Sequence, residues 1–472
     1  MILNGKHSIF KKSCLAMMLS LCSMTSTFAM QQLSDDIMAE ATGEGLALLP
    51  ENFKMIFQMP NDNSTASSYN RSLTGTGATQ ASQFDTGFIR IIPVGEDYNQ
   101  YTSLSQQDLN NKQTKADIFI YGLALSGTDS NANVRFSNTG FNWGSETNPW
   151  LIRAGTEEQV LQFSSTNQKS DVSYFSIEAP LARTGVSETD NNIKLGLWLD
   201  AFSRKWGSTN TVSAVTGAPT VASDLTTDQR VRLQVVANGL SLSGSQVRFF
   251  QTQHSNIEQQ KNTLGIANIL RLNTNDNPSN LVYVNTAENK TLLDQSVLRI
   301  STATTNDGTV STPALNRSFA PIFESNEGLY LYSPNINLVL GNMYQPFIVG
   351  SSGNNIVLEV TAIPKVADIY NKIYTDYDSA PSRAATLCNV ASCGNNIKTV
   401  AGATYQGNNA THSSIAIGSV SVENNMLKAV KTSNATGIVF RSPGTTTAPV
   451  NLGSVAIDGV LIQHLKFTTT GL

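Results

Sequence analysis

A run of alternating residues constrains this chain more than any other feature. In NIKLGLWLDAF, residues Ile193, Leu195, Leu197, Leu199 and Ala201 recur at period two, with Lys194 and Asp200 between them. Successive side chains of a strand point to opposite faces of a sheet, so this spacing predicts a β-strand with one apolar face. Burying its four large side chains is worth roughly 1.5–3 kcal/mol each, enough to anchor a core. Trp198 and Phe202 fall on the face that bears the charges. That face is therefore expected to be partly covered as well, and a strand covered on both sides belongs in the middle of a sandwich.

The same pattern recurs along the chain. GFIRIIPVG is a strand stopped by Pro93, and ADIFIYGLALSG, apolar on both faces, is expected to lie centrally. RVRLQVVANGLSLSG places Val231, Leu233, Val235 and Ala237 inward, and its Asn238-Gly239 dipeptide signals a hairpin. Val366, Ile369, Tyr370 and Ile373 give the one convincing helical stripe of the body. Near the C-terminus Val455, Ile457, Leu461, Leu465 and Phe467 alternate again. No repeat of fixed period is visible, which argues against a propeller or solenoid. The expectation is a mainly β chain: an antiparallel β-sandwich of jelly-roll or concanavalin/lectin-like type with one or two short helices. A glutamine-rich stretch, Gln251 to Asn262, marks a candidate boundary between a β-sandwich at 46–250 and a second β-rich region at 251–472 that can pack with it as one unit.

The N-terminus carries Lys6, Lys11 and Lys12, an apolar run from Cys14 to Leu21, then small and polar residues up to Ala29. These features predict an export signal over 1–29. The apolar run falls far short of the roughly 20 residues of a spanning helix. Leu21 is also too bulky to precede a lipidated Cys22. Residues 30–45 follow as a short helical segment, with Leu33, Ile37, Met38 and Ala41 at helical spacing. Cleavage removes three lysines and no acid, moving the formal charge from −4 to −7. A mildly acidic chain with scattered charges has no footprint for nucleic acid.

Two cysteines remain after cleavage, Cys388 and Cys393, and in an exported protein their simplest use is one structural disulfide. A redox site lacks the C-x-x-C spacing, and zinc would need His412 as a third ligand at an unfamiliar spacing. Catalytic signals are absent. His254, His412 and His464 stand apart in the sequence, no G-x-S-x-G or H-E-x-x-H occurs, and Glu178 and Asp200 are single acids on their strands. NTNDN at Asn273 lacks the glycine and the terminal glutamate of a calcium loop, having Pro278 and Val284 instead. No enzyme, metal or cofactor is expected. The one candidate ligand site is aromatic. Phe141, Trp143 and Trp150 cluster in FNWGSETNPW among hydrogen-bonding side chains, and could stack sugars or could be core. The sequons at Asn70 and Asn316 follow from composition.

LSDDIMAEATGEG, ADIFIYGLALSG, RFSNTGFNWGSETNPWLIRAG, NNIKLGLWLDAF and IDGVLIQHLKFTTTGL together resemble the Fil-type (FilA-like) pilus-assembly proteins of Gram-negative bacteria. The resemblance implies an exported component of the cell surface, a fimbria or the extracellular space. Its role would be pilus assembly or adhesion through contacts with other pilus or cell-surface proteins. Three rival readings follow from the residues: a carbohydrate-binding module for host or surface glycans, a glycan hydrolase on the same fold, and an outer-membrane β-barrel.

Overall fold

A computed structural model of the 472-residue chain describes residues 45–57, 88–91, 113–163, 168–181, 192–205, 230–273, 287–305, 312–316, 320–374, 398–400, 403–405, 411–423, 426–444 and 448–469. The expected export signal at 1–29, nearly all of the expected helical segment 30–45, Asn70 and the expected Cys388–Cys393 disulfide lie outside the described residues. The protein is mainly β, with 57% strand and 5% helix, in antiparallel sheets that fit the β-sandwich class.

The strands are β1 (Gly45–Leu48), β2 (Met55–Ile56), β3 (Phe88–Ile91), β4 (Gln113–Gly127), β5 (Gly144–Ser145), β6 (Asn148–Val160), β7 (Ser170–Glu178) and β8 (Ile193–Lys205). Then come β9 (Arg230–Leu240), β10 (Gln246–Gln251), β11 (Leu264–Asn273), β12 (Val297–Ser301), β13 (Gly328–Tyr332), β14 (Pro334–Leu340), β15 (Phe347–Ser352) and β16 (Asn355–Val360). The last are β17 (Lys398–Val400), β18 (Ala403–Tyr405), β19 (Ser413–Ile417), β20 (Val420–Glu423), β21 (Met426–Ala429), β22 (Ile438–Arg441), β23 (Val450–Gly453), β24 (Val455–Val460) and β25 (Leu465–Thr468). Helices α1 (Ala287–Leu293), α2 (Pro313–Asn316) and α3 (Ala367–Tyr374) are short. Ile369 and Ile373 of α3 are fully buried, as the helical stripe predicts.

One sheet runs β1-β6-β7-β10-β11-β14-β19-β24, with β15, β16 and β25 branching from β11; the other runs β2-β4-β8-β9-β12-β13-β22-β23. At six of the eight positions the strands of the two paths are neighbours in the chain: β1 with β2, β7 with β8, β10 with β9, β11 with β12, β14 with β13 and β24 with β23. Ser333 alone separates β13 from β14, and Ser454 alone separates β23 from β24. The fold is thus an antiparallel meander of long strands creased across its middle into two leaves. Ser333 (φ 44°) and Gly453 (φ 85°) supply the left-handed backbone at two of the crossings. Both leaves take strands from either side of Gln251, so residues 46–250 and 251–472 share the same sheets.

Burial along β8 reverses the expected order. Lys194 and Asp200 are fully buried and Trp198 and Phe202 nearly so, while Leu195, Leu197 and Leu199 are only half-buried. On β9, Val231 is 53% exposed whereas Arg232, Gln234 and Asn238 are buried. The cause is that residues 128–140, 302–305 and 320–327, with α1, cover the charged face of this leaf and satisfy its polar groups. Gly196 permits a close approach of segment 128–140, since a Cβ there would stand 2.1 Å from the Arg135 carbonyl oxygen. Asn238-Gly239 is no hairpin either. Gly239 takes φ 75°, but β9 runs on to Leu240 and then crosses to the other leaf.

Candidate functional site

The sequence-predicted aromatics do come together, and Phe53 joins them. Residues 50–53 are stitched to 141–143 by backbone bonds. Phe53 and Phe141 exchange N–H···O bonds of 2.9 and 3.0 Å, and the Trp143 N–H donates to the Pro50 carbonyl at 2.9 Å. The Phe141 and Trp143 ring centroids are 5.3 Å apart, Trp143 and Trp150 5.1 Å, and Phe53 stacks on Trp143 at 6.1 Å. Trp150 lies opposite Leu48 of the edge strand β1. The rings therefore spend their faces on one another, and Phe141 is 2% exposed. The indole N–H groups of Trp143 and Trp150 are buried without an acceptor among the described residues. Nearby amides are also committed: the Asn142 side chain accepts from Asn52 N–H, and Asn148 bonds to Leu181. A sugar platform needs free ring faces and free polar groups beside them. The observed geometry is that of a packed corner.

The second cluster was not legible as a site. On the covered face of β8 and β9, the Arg232 guanidinium donates from Nε and Nη2 to the two carboxylate oxygens of Asp200, at 2.7 and 2.9 Å. The Tyr121 hydroxyl adds a third bond at 3.0 Å. Lys194 Nζ donates at 2.6 Å both to Asp129 Oδ1 and to the Asn131 carbonyl. Asn238 donates at 2.6 Å to the carbonyls of Asp129 and Asp294 and accepts from Thr128. Arg299 donates to the backbone carbonyls of Glu324 and Glu327 and to Gln234 Oε1. Burial pulls the Lys194 ammonium below its ordinary pKa, against the attraction of Asp129. Burial also pushes the Asp294 carboxyl up, although Lys290 pairs with it. These groups are enclosed. What the arrangement does is hold the covering segments onto the sheet by charge-assisted bonds.

The remaining candidates are spent on structure. Glu178 pairs with Arg153 at 3.0 Å and accepts from Ser176. Glu359 holds His464 Nε2 at 3.0 Å and Gln260 Nε2 at 3.1 Å. Ser170 Oγ lies 2.8 Å from His254 Nε2, but no acidic side chain bonds to His254 among the described residues, so the third member of a triad is missing there. His412 is buried against Thr411. No group of three or more His, Cys, Asp or Glu side chains suited to a metal ion occurs among the described residues.

One partly open surface is aliphatic. Leu197, Val235, Ile300, Leu329 and Phe440 lie directly opposite one another across five successive strands. The first four are half-buried and Phe440 is 51% exposed. Exposure rises toward the edge strand β23, where Val450 reaches 55% and Leu452 67%. On the other leaf Leu272, Ile336, Ile415 and Ile457 form a similar row. No family model matches the chain, and no curated protein or solved structure matches it either.

Proposed function

We propose that this chain is an exported protein of the Gram-negative cell surface that acts in pilus or fimbria assembly, or in adhesion, by contact with other pilus or cell-surface proteins. The resemblance to Fil-type proteins supplies the biological setting. The observation that carries the mode of action is the edge strand β23. Among the described residues it pairs within its sheet only with β22, and it presents Val450 and Leu452 largely to solvent without a charged residue among its four. The register between β22 and β23 shifts at Ile438/Val439 and β23 is short, so what the edge offers an added strand is its uncharged, apolar residues. Deleting the gene tests the role, with surface appendages imaged and attachment counted. Loss of either that wild type restores and Leu452→Lys does not is the expected result. Unchanged appendages together with unchanged attachment would remove the reading.

A further inference from the structure

We infer that Lys194 and Asn238 react with each other in the folded chain to form an intramolecular isopeptide bond, a covalent rung between β8 and β9. This does not rest on the pilus reading. By the register that pairs Leu195 with Ala237 and Gly196 with Val236, Lys194 stands opposite Asn238. The register shifts between Ile193 and Leu195, at Lys194 itself, and such a bulge re-aims a side chain. Both residues lie on the covered face of the leaf, and both are 0% exposed. Asp129 touches each of them. Its Oδ1 accepts from Lys194 Nζ at 2.6 Å, its carbonyl accepts from Asn238 Nδ2 at 2.6 Å, and its N–H donates to Asn238 Oδ1 at 3.4 Å. Amine and amide are thus held on two sides of one residue.

The surroundings supply what acyl transfer needs. Burial disfavours the ammonium, and the Asp129 carboxylate is placed to take its proton, which leaves Nζ a neutral nucleophile. Its lone pair attacks Asn238 Cγ, and a C–N bond forms as the carbonyl pair moves onto Oδ1. The Thr128 hydroxyl, at 2.7 Å, and the Asp129 N–H both donate to that oxygen and stabilise its developing charge. Asp129 then passes its proton to Nδ2 and takes a second one from Nζ as the Cγ–Nδ2 bond breaks. Ammonia leaves, collects that last proton as ammonium, and a secondary amide joins the two side chains. The balance needs no oxidant and no co-reactant. The Asp129 side chain is 33% exposed, which gives ammonia a way out, whereas the linked groups themselves are shut off from the water that would hydrolyse the bond.

The test weighs the purified, reduced full-length protein by mass spectrometry and then digests it with trypsin. The intact mass is expected to fall short of the sequence mass, counted from the observed N-terminus, by one ammonia. The digest is expected to hold a branched peptide that joins the segments around Lys194 and Asn238. Lys194→Met and Asn238→Ala are expected to restore the full mass, and Asp129→Asn to cut the linked fraction by about tenfold or more. The wild-type mass and the branched peptide decide the outcome even where a variant fails to fold. Full sequence mass with linear peptides throughout would overturn the inference. So would loss of ammonia without a branched peptide, the mark of a cyclic imide at Asn238-Gly239. Loss of water with a branch to Asp129 would overturn it too, making the carboxylate and not the amide the acceptor.

Discussion

Asp200 and Arg232 face each other across β8 and β9 and form a two-pronged ion pair from which water is excluded: the Asp200 side chain is 0% and the Arg232 side chain 5% exposed. The pair sits on the strand face that alternation alone assigns to the outside. Removing one partner strands the other charge in the interior, whereas removing both leaves no unpaired charge, only the Tyr121 hydroxyl without its Asp200 acceptor. Arg232→Met or Asp200→Asn alone is expected to cost about 3–5 kcal/mol, and the double replacement Asp200→Leu with Arg232→Met far less than the sum. Urea unfolding of the three variants checks this. Additive losses would show that the pair is not coupled.

Tyr330 offers a pH test. Its ring is enclosed, with the cationic groups of Lys290, Arg299 and Arg441 within 6 Å of its centroid, yet its hydroxyl has no hydrogen-bond partner among the described residues. Burial pushes its pKa up from 10.0 to about 12. Below pH 10 neither folded nor unfolded chain ionises there. Between pH 10 and about 12 only the unfolded chain releases the proton, so the native state binds more protons and stability falls as pH rises. Tyr330→Phe keeps the ring and deletes the orphan hydroxyl. It is expected to leave stability at pH 7 unchanged or raise it by about 1 kcal/mol, and to flatten the decline above pH 10. Denaturant melts at pH 7 and at pH 10.5–11.5 measure both effects.

At Gly196 segment 128–140 lies close to the sheet. A Cβ would meet the Arg135 carbonyl oxygen at 2.1 Å and its Cβ at 2.3 Å. Arg135 in turn stacks on Trp198 at 4.3 Å and donates to the Gly122 carbonyl at 2.8 Å. Gly196→Ala is expected to lift this segment, lowering stability by about 1–3 kcal/mol. It should also expose residues 128–140 to protease under native conditions. Limited proteolysis with mapping of the cut sites reads the second effect.

Trp143 separates packing from recognition. Its ring contacts Phe53, Phe141 and Trp150. Trp143→Ala is expected to destabilise by about 2–4 kcal/mol, and Trp143→Phe by less than half of that. Thermal melts give the stability, and a glycan array tests the alternative use of the corner. Glycan binding that Trp143→Phe abolishes without loss of stability would favour a sugar site.

The sequence by itself determined the class of fold. Period-two alternation in residues 193–201 and 231–237 is a local property, fixed by the way a strand presents its side chains, and it survives into the structure as antiparallel sheets, whereas the 455–467 run is split between β24, ending at Val460, and β25, starting at Leu465. The helical stripe at Val366–Ile373 was legible for the same reason. The proximity of Phe141, Trp143 and Trp150 could be read from their spacing, but the partner that closes their ring faces, Phe53, is contributed by a distant segment. Tertiary structure decided which face of each strand is enclosed. Alternation divides residues into two sets and is silent about which set another part of the chain will cover. Lys194, Asp200 and Asn238 are buried because Asp129, Arg232 and Asp294, far away in sequence, arrive to satisfy them. A buried polar group is tolerable only where its hydrogen-bond partners are supplied, and those partners exist only once the chain has folded.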